Sequence, residues 1–237
     1  ELSDHWTYGI VLAPLPEFTM QLGFWHTDFT DLISVSTIQR EFNAEWLGLT
    51  NGVRRCAADG SQVGCTPGEV DYIDLTVDNF VGVESEGLDI NISYILDTEK
   101  MGRFDIGLDA AKYTKYIVKS FPESPEIEYQ GELGLPDLRL NTHIYWGKGD
   151  WGAALTGYYI SSQEQDIGST HYRVGSHFEV GMQVSYQLPW DASIVVGAYN
   201  LTNQGPEVVN DYGWEPFDFS LYDIRGRVTY IKYNQNL

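Results

Sequence analysis

The sequence predicts an all-β protein whose long strands follow one another up and down in an antiparallel sheet. In nine stretches of the 237-residue chain, apolar and polar residues alternate with period two. Many of these stretches run to ten residues or more, whereas strands of soluble proteins mostly have five or six. The connections between them are alternately short and long. Ten residues also let a tilted strand cross a bilayer, so a transmembrane β-barrel is favoured, although a soluble sandwich would show the same two faces.

The first two strands, residues 4–14 and 17–34, form a hairpin with a short connection from Pro14 to Glu17. Each strand places its apolar side chains on one face. These are Trp6, Tyr8, Ile10 and Leu12 in the first strand, and Phe18, Met20, Leu22 and Phe24 in the second.

Residues 35–70 lose the alternation and form a long polar loop that contains both cysteines, Cys56 and Cys65. Loops of this length are usually functional or disordered. A zinc site would need two further Cys or His ligands, which the loop does not offer. The sequence therefore favours a local disulfide formed in an oxidising compartment.

Five further strands follow, separated by polar loops at residues 121–135 and 163–176. They cover residues 71–80 continued by 87–97, then 103–119, 136–146, 151–162 and 177–188. The last of these alternates without a break. Its apolar positions are Phe178, Val180, Met182, Val184, Tyr186 and Leu188, and Glu179, Gly181, Gln183, Ser185 and Gln187 lie between them. Aromatic residues near strand ends fit an interfacial girdle: Trp6, Phe18, Trp146, Trp151, Tyr186 and Trp190.

Composition excludes some functions. The formal charge is −20, with 14 basic residues spread along the chain, which argues against nucleic-acid binding. No run of 18 apolar residues predicts a transmembrane helix. No secretory signal opens the sequence, so either it has been removed or the chain begins within a longer precursor.

The sequence contains no catalytic constellation, metal motif or cofactor motif, so we expect no enzyme. The five histidines are scattered, without a His-Glu-x-x-His pattern, and no serine elbow is present. Alternation places Asp89, Asp105 and Asp109 on the polar face, where wall residues are the simplest interpretation.

The last two strands carry the most specific motif. The penultimate strand, from Ala192, runs into a corner of Asn200, Leu201, Asn203 and Pro206, and the last strand opens with Tyr222, Asp223, Gly226 and Arg227 and ends at Leu237. This pattern resembles the C-terminal end of TonB-dependent outer-membrane receptors. Leu237 stands where that family ends on an aromatic residue.

The resemblance implies that residues 1–237 are about the last nine strands of a 22-strand barrel in the outer membrane of a Gram-negative bacterium. The remaining barrel strands and the plug would come from an upstream segment or a second polypeptide. Such receptors contact outer-membrane lipid and take up a scarce nutrient with energy that TonB passes to the plug. The ligand would be a ferric siderophore, a cobalamin-like molecule or a glycan.

Candidate ligand-binding residues lie in the long loops and on the polar face of the barrel: Trp46, Arg139, His143, Tyr172 and Trp214. Packing of loop against loop explains the aromatic ones equally well. Two alternatives stay open. One is a soluble acidic β-protein such as a carbohydrate-binding module, and the other is a barrel that serves as a scaffold or adhesin without transport.

Overall fold

The computed structural model describes residues 1–49, 51–120, 124–209 and 217–235, and it omits the side chains of Asp78, Phe80 and Ile167. Leu237 and Trp214 lie outside the described residues. The elements are β1 (Leu2–Leu15), β2 (Phe18–Val35), α1 (Ile38–Trp46), β3 (Val53–Arg55), β4 (Val70–Ile73), β5 (Val77–Thr98), β6 (Gly102–Lys119), β7 (Ile127–Glu128), β8 (Leu138–Lys148), β9 (Trp151–Ile160), β10 (Gln163–Ile167), β11 (Thr170–Val174), β12 (His177–Leu188), β13 (Ala192–Tyr199) and β14 (Val228–Gln235).

Nine strands form one sheet in chain order, β1-β2-β5-β6-β8-β9-β12-β13-β14, and β7 adds a short pairing to β6. The five neighbouring pairs from β6 to β14 are antiparallel. The prediction of nine long strands in up-and-down order is therefore confirmed. Within the described residues, β1 and β14 are the two edges of this sheet.

The chain divides into two compact units. Unit 1 comprises residues 1–5, 27–84 and 117–128, and unit 2 comprises residues 6–26, 85–116 and 129–237. Unit 1 contains α1, the β3–β4 pair and the disulfide between Cys56 and Cys65, whose Cα atoms are 5.7 Å apart. The predicted disulfide is thus present.

The prediction of irregular structure throughout residues 35–70 is wrong, because this segment contains α1. The Thr37 hydroxyl caps the helix by accepting a hydrogen bond from the Arg40 N–H, 3.2 Å away, and Glu41 adds negative charge to the first turn. The helix has nine residues and mostly polar side chains, so its periodicity is weak in the sequence. It is also too short to cross a bilayer, and the described residues include no helix with the length and hydropathy for that.

The structure also differs from the prediction at three further places. Residues 71–80 are not one strand, because β4 ends at Ile73 after pairing with β3, and β5 begins at Val77. The polar loop at residues 163–176 is a hairpin of β10 and β11. The last strand begins at Val228 rather than Tyr222, because Gly226 takes a left-handed φ of 62° and residues before it form turns.

The strand register gives the sheet of unit 2 one polar and one apolar face. The apolar side chains remain exposed, and no layer of described residues covers them. Examples are Ile10, Ile144, Leu155, Met182, Val196 and Ile231, which are between 39% and 76% exposed. Burial is concentrated instead in a loop cluster of Ile160, Val174, Val209, Leu221 and Tyr222. A soluble protein would bury the apolar face of its sheet, so this arrangement agrees with the membrane-spanning interpretation.

Several aromatic residues lie near the short connections, where an interfacial girdle is expected. Trp151 packs against Tyr186 with ring centres 4.7 Å apart. The indole N–H of Trp190 donates to the Tyr233 hydroxyl at 3.3 Å. Trp6 is an exception, because β1 begins at Leu2 and Trp6 lies inside the strand.

Candidate ligand-binding site

The polar face of unit 2 is built from aligned positions on neighbouring strands, β6 to β14. Strand pairing brings residues that are far apart in sequence into rows across the sheet. The first row is Asp109, Asn141, Tyr158 and Glu179; the second is Gly107, His143, Thr156 and Gly181; the third is Asp105, Tyr145, Ala154, Gln183, Gly197 and Tyr230.

Small residues form a floor in the middle of these rows. A Cβ atom on Gly181 would lie 2.5 Å from the Thr156 hydroxyl oxygen, and one on Gly197 would lie 2.7 Å from the Tyr230 ring. Both distances are too short for ordinary contacts. Glycine at these two positions therefore leaves room for the Thr156 and Tyr230 side chains to lie over the sheet.

Two aromatic pairs form the walls on either side of this floor. His143 stacks on Tyr145 on β8, with ring centres 4.7 Å apart. Tyr199 on β13 lies against Tyr230 on β14, with ring centres 4.9 Å apart. Three strand spacings separate β8 from β13, a width of about 14 Å.

We call the space between these walls the trough. It comprises a cavity of about 340 Å³ and an adjoining one of about 110 Å³. The two cavities share Tyr145, Thr156, Gly181 and Tyr199 as lining residues. The side chains of Asn141, Tyr145 and Thr156 form no hydrogen bonds to other residues in the described part of the chain, so their polar groups remain available.

At the loop end of the trough, a buried polar network joins the sheet to the long loops. The Nε2 atom of His177 lies 2.8 Å from a carboxylate oxygen of Glu179, which lines the larger cavity. The His177 ring packs edge-on against Tyr222, at 5.1 Å. The Tyr222 hydroxyl accepts a hydrogen bond from the side-chain amide of Gln163 at 2.8 Å, and burial raises the pKa of Tyr222. The loop cluster is thereby fixed to β12.

The corner after β13 is held by its own side chains. Asn200 has a φ of 45°, and its side chain both donates to the Gln204 carbonyl and accepts from the Gln204 N–H, at 2.7 and 2.9 Å. The side-chain oxygen of Asn203 accepts from the Arg227 N–H at 2.9 Å. Because Arg227 immediately precedes β14, this bond links the two ends of the long loop.

An ion pair between Asp223 and Arg225 stabilises the turn before β14. Hydrogen bonds from the Arg225 side chain and its backbone N–H lower the pKa of Asp223 to about 2. The pair is largely exposed to solvent, so its contribution to stability is small.

The described candidate residues from the sequence are spread over different elements. His143 lines the trough, 3.7 Å from Asp105, whereas Arg139 lies on the same face of β8 but outside the lining. Trp46 is 90% exposed at the end of α1 in unit 1. Tyr172 packs against the loop cluster, and Trp214 lies outside the described residues.

Sequence reasoning missed most of the residues that line the trough, above all Tyr145, Tyr158, Tyr199 and Glu179. Tyrosines occur on both faces of these strands, and Tyr158 is followed by Tyr159. A usable signal is the recurrence of glycine at polar-face positions of three strands, Gly107 on β6, Gly181 on β12 and Gly197 on β13.

Comparisons with known proteins agree with this architecture. The family model described as TonB dependent receptor-like, beta-barrel matches residues 1–201. No curated protein matches the sequence.

Three solved structures illustrate the fold. The siderophore receptor PirA of Acinetobacter baumannii superposes with a TM-score of 0.65 at 14% identity, and a variant of the ferric enterobactin receptor PfeA of Pseudomonas aeruginosa with 0.64 at 14%. Each match covers 98% of this chain and 31% of the receptor. The pyoverdine receptor FpvA of Pseudomonas aeruginosa PAO1 gives 0.61 at 10% identity, over 99% of this chain and 30% of the receptor. The chain therefore spans less than one third of the length of these proteins.

Proposed function

Because the chain belongs to the TonB-dependent receptor-like β-barrel family, we propose that it forms barrel wall and external loops of an active transporter in the outer membrane of a Gram-negative bacterium. The transported molecule is a scarce nutrient that reaches the polar face of the sheet. Members of this family transport their ligands rather than transform them.

The observation that carries the proposal is the uncovered apolar face of the sheet. Leu155, Met182 and Val196 are between 44% and 52% exposed and lie at aligned or adjacent positions of β9, β12 and β13. The opposite face carries the polar trough. A sheet that meets lipid on one side and an aqueous interior on the other needs this distribution. It argues against the alternative of a soluble carbohydrate-binding module.

The proposal includes partners that complete the barrel. The chain is about a third of the length of the receptors that it matches, and β1 and β14 have no strand beyond them in the described sheet. We propose that the remaining barrel strands and a plug come from an upstream segment or a second polypeptide. Energy would reach the plug from TonB, and lipid would cover the apolar face.

Uptake by cells that carry the intact receptor tests the proposal. Three labelled probes represent the candidate ligands: ferric enterobactin, cyanocobalamin and maltoheptaose. We expect at least one to accumulate, and we expect a protonophore to abolish accumulation while surface binding persists. The proposal fails if the receptor fractionates away from the outer membrane, or if uptake continues unchanged without the proton gradient.

A further inference from the structure

We propose that the trough binds a neutral, hydroxyl-rich ligand of the oligosaccharide class, and that it does not accept an anionic iron complex. The inference rests on the proposed function, because it names the class of ligand for the same polar face. It is carried by the charge, the aromatic walls and the free polar groups of the trough.

Among the described residues, no lysine or arginine lines the trough. Its one carboxylate, Glu179, forms a hydrogen bond to the buried His177. A bound anion would lose its water without gaining a positive partner, which is costly, and anion sites in proteins commonly supply arginine for this reason. A neutral ligand does not meet this penalty.

Basic residues of the polar face, such as Arg103, Arg139 and Lys232, lie outside the lining. Arg139 is two positions from Asn141 on β8, and Lys232 is on β14. The Lys232 ammonium already lies over the Tyr230 ring, 4.7 Å from its centre. These separate charges do not form the cluster that a multiply charged anion requires.

The loops of unit 2 around the network at Tyr222 are acidic. In residues 129–137, 161–176, 200–209 and 217–227, seven carboxylate residues outnumber three arginines. Arg173 and Arg225 are paired with Glu164 and Asp223, respectively. The resulting negative potential repels anions on their way to the trough.

The walls and free polar groups suit a sugar. Pyranose rings have apolar C–H faces that pack on aromatic rings, and hydroxyl edges that need donors and acceptors. The ring pairs His143–Tyr145 and Tyr199–Tyr230 offer the aromatic faces. Asn141 and Thr156 offer polar atoms that have no partner among the described residues. A few polar groups in a mostly aromatic concavity are typical of small-molecule sites.

Calorimetric titration of the intact, purified receptor tests the inference. The probes are maltoheptaose, cellohexaose and xylohexaose as neutral oligosaccharides, and ferric enterobactin as the anion. We expect one of the oligosaccharides to bind and ferric enterobactin not to bind. Tyr145→Ala removes one wall and should weaken oligosaccharide binding about tenfold. Tyr159→Ala is the matched control, because Tyr159 aligns with Leu140 and Phe178 on the apolar face and should leave binding unchanged.

Three calorimetric results would each overturn the inference: no oligosaccharide in the panel binds, ferric enterobactin binds, or the two tyrosine variants bind oligosaccharide equally well. A further check uses Thr156→Cys, which should react with a membrane-impermeant maleimide in the ligand-free receptor. Protection of this cysteine would show that protein, such as a plug segment, fills the trough, and would also overturn the inference. Gradient-dependent uptake of ferric enterobactin would contradict the inference while leaving the proposed transport function intact.

Discussion

At the scale of single residues, neighbouring positions on β12 face opposite environments. Val184 aligns with Ala153 and Val196 on the apolar face, and Ser185 aligns with Gly152 and Val195 on the polar one. Val184→Arg places a charge in lipid and should lower the free energy of unfolding by about 2–4 kcal/mol if the residue is near the midplane. Ser185→Arg should cost less than about 1 kcal/mol, because water reaches its face.

Urea unfolding of the intact receptor in lipid vesicles measures this difference. Ser185 is a better control than Gln183, whose side-chain oxygen accepts a hydrogen bond from the Tyr230 hydroxyl at 2.8 Å. Equal losses for the Val184 and Ser185 variants would mean that the face assignment is wrong.

Gly197 should be intolerant of even one methyl group. Its Cβ would lie 2.7 Å from the Tyr230 ring and 2.9 Å from the Gln183 Cβ atom. Gly197→Ala should therefore destabilise the receptor by about 1–3 kcal/mol. Gly205→Ala is the control, since no heavy atom lies within 4 Å of its added Cβ.

A double-mutant cycle identifies the cause. If the Tyr230 ring is the obstacle, then Tyr230→Ala should remove part of the penalty of Gly197→Ala. Additive losses in the double variant would show that the Tyr230 ring is not the obstacle and would leave the Gln183 Cβ atom as the close neighbour.

The candidate site shows which of its residues can be predicted from the sequence of a single strand. His143 is identifiable because alternation within β8 alone places it on the polar face. Tyr199 and Tyr230 are not, because their meeting depends on the register between β13 and β14. A one-residue shift of β14 would move Tyr230 to the opposite face while Tyr199 stayed in place, so alternation within one strand cannot predict the trough.

At the scale of elements, α1 depends on one buried carboxylate. Glu41 accepts hydrogen bonds from the Ser36 hydroxyl, from the Gly52 N–H at 2.5 Å and from Arg40 at 2.6 Å. Burial alone would raise the pKa of Glu41, but these bonds outweigh it and lower the pKa below the ordinary value of 4.5. The charged carboxylate thus stabilises the fold above pH 4.5, and this contribution is lost as the pH falls through the lowered pKa.

We expect Glu41→Gln to speed hydrogen exchange of the Gly52 amide at neutral pH and to remove the acid-dependent step from its exchange profile. The loss of local stability should be about 1–3 kcal/mol, because the change leaves buried donors without an ionised acceptor. Glu45→Gln is the matched control on the same helix, since Glu45 pairs with Arg55 near the surface. An unchanged exchange rate at Gly52 in the Glu41 variant would contradict this account.

The disulfide should hold only the segment between its cysteines. The Cys56 N–H donates to the Glu69 carbonyl at 2.8 Å, and β3 pairs with β4 through backbone bonds. Replacing both cysteines by serine should therefore release residues 57–64, at about 2–3 kcal/mol by the chain-entropy estimate. Hydrogen exchange should leave β3 and β4 protected, and quantitative thiol labelling of the unreduced native protein would disprove the bond.

The elements that the sequence predicts well are long, and those that it misses are short. Each of the nine long amphipathic strands repeats the period-two pattern often enough to be identified from its own sequence. By contrast, β3 has three residues and β7 two, so only their partners define them. The motif predicts that the last strand starts at Tyr222, whereas β14 starts at Val228 and both Tyr222 and Leu221 are buried in the loop cluster.

At the scale of the whole molecule, the direction of the strands constrains how the sheet can close. Nine strands that alternate in direction leave the first and the last, β1 and β14, running the same way. Joining them would create a parallel pair in an otherwise antiparallel barrel, whereas bacterial outer-membrane barrels have even strand numbers. Leaving them open in lipid would expose unpaired backbone groups, at several kcal/mol for each group. Both edges therefore need strands other than each other.

Disulfide cross-linking in the intact receptor tests this consequence. In a background without Cys56 and Cys65, the pair Val196→Cys with Ile231→Cys should oxidise readily, because these residues face each other between β13 and β14. The pair Ile10→Cys with Ile231→Cys should stay reduced, because additional strands are expected to separate β1 from β14. Efficient cross-linking of the second pair within one polypeptide would mean that the nine strands close on themselves. The larger barrel that we propose would then be wrong, even if the polar trough and its ligand remained as described.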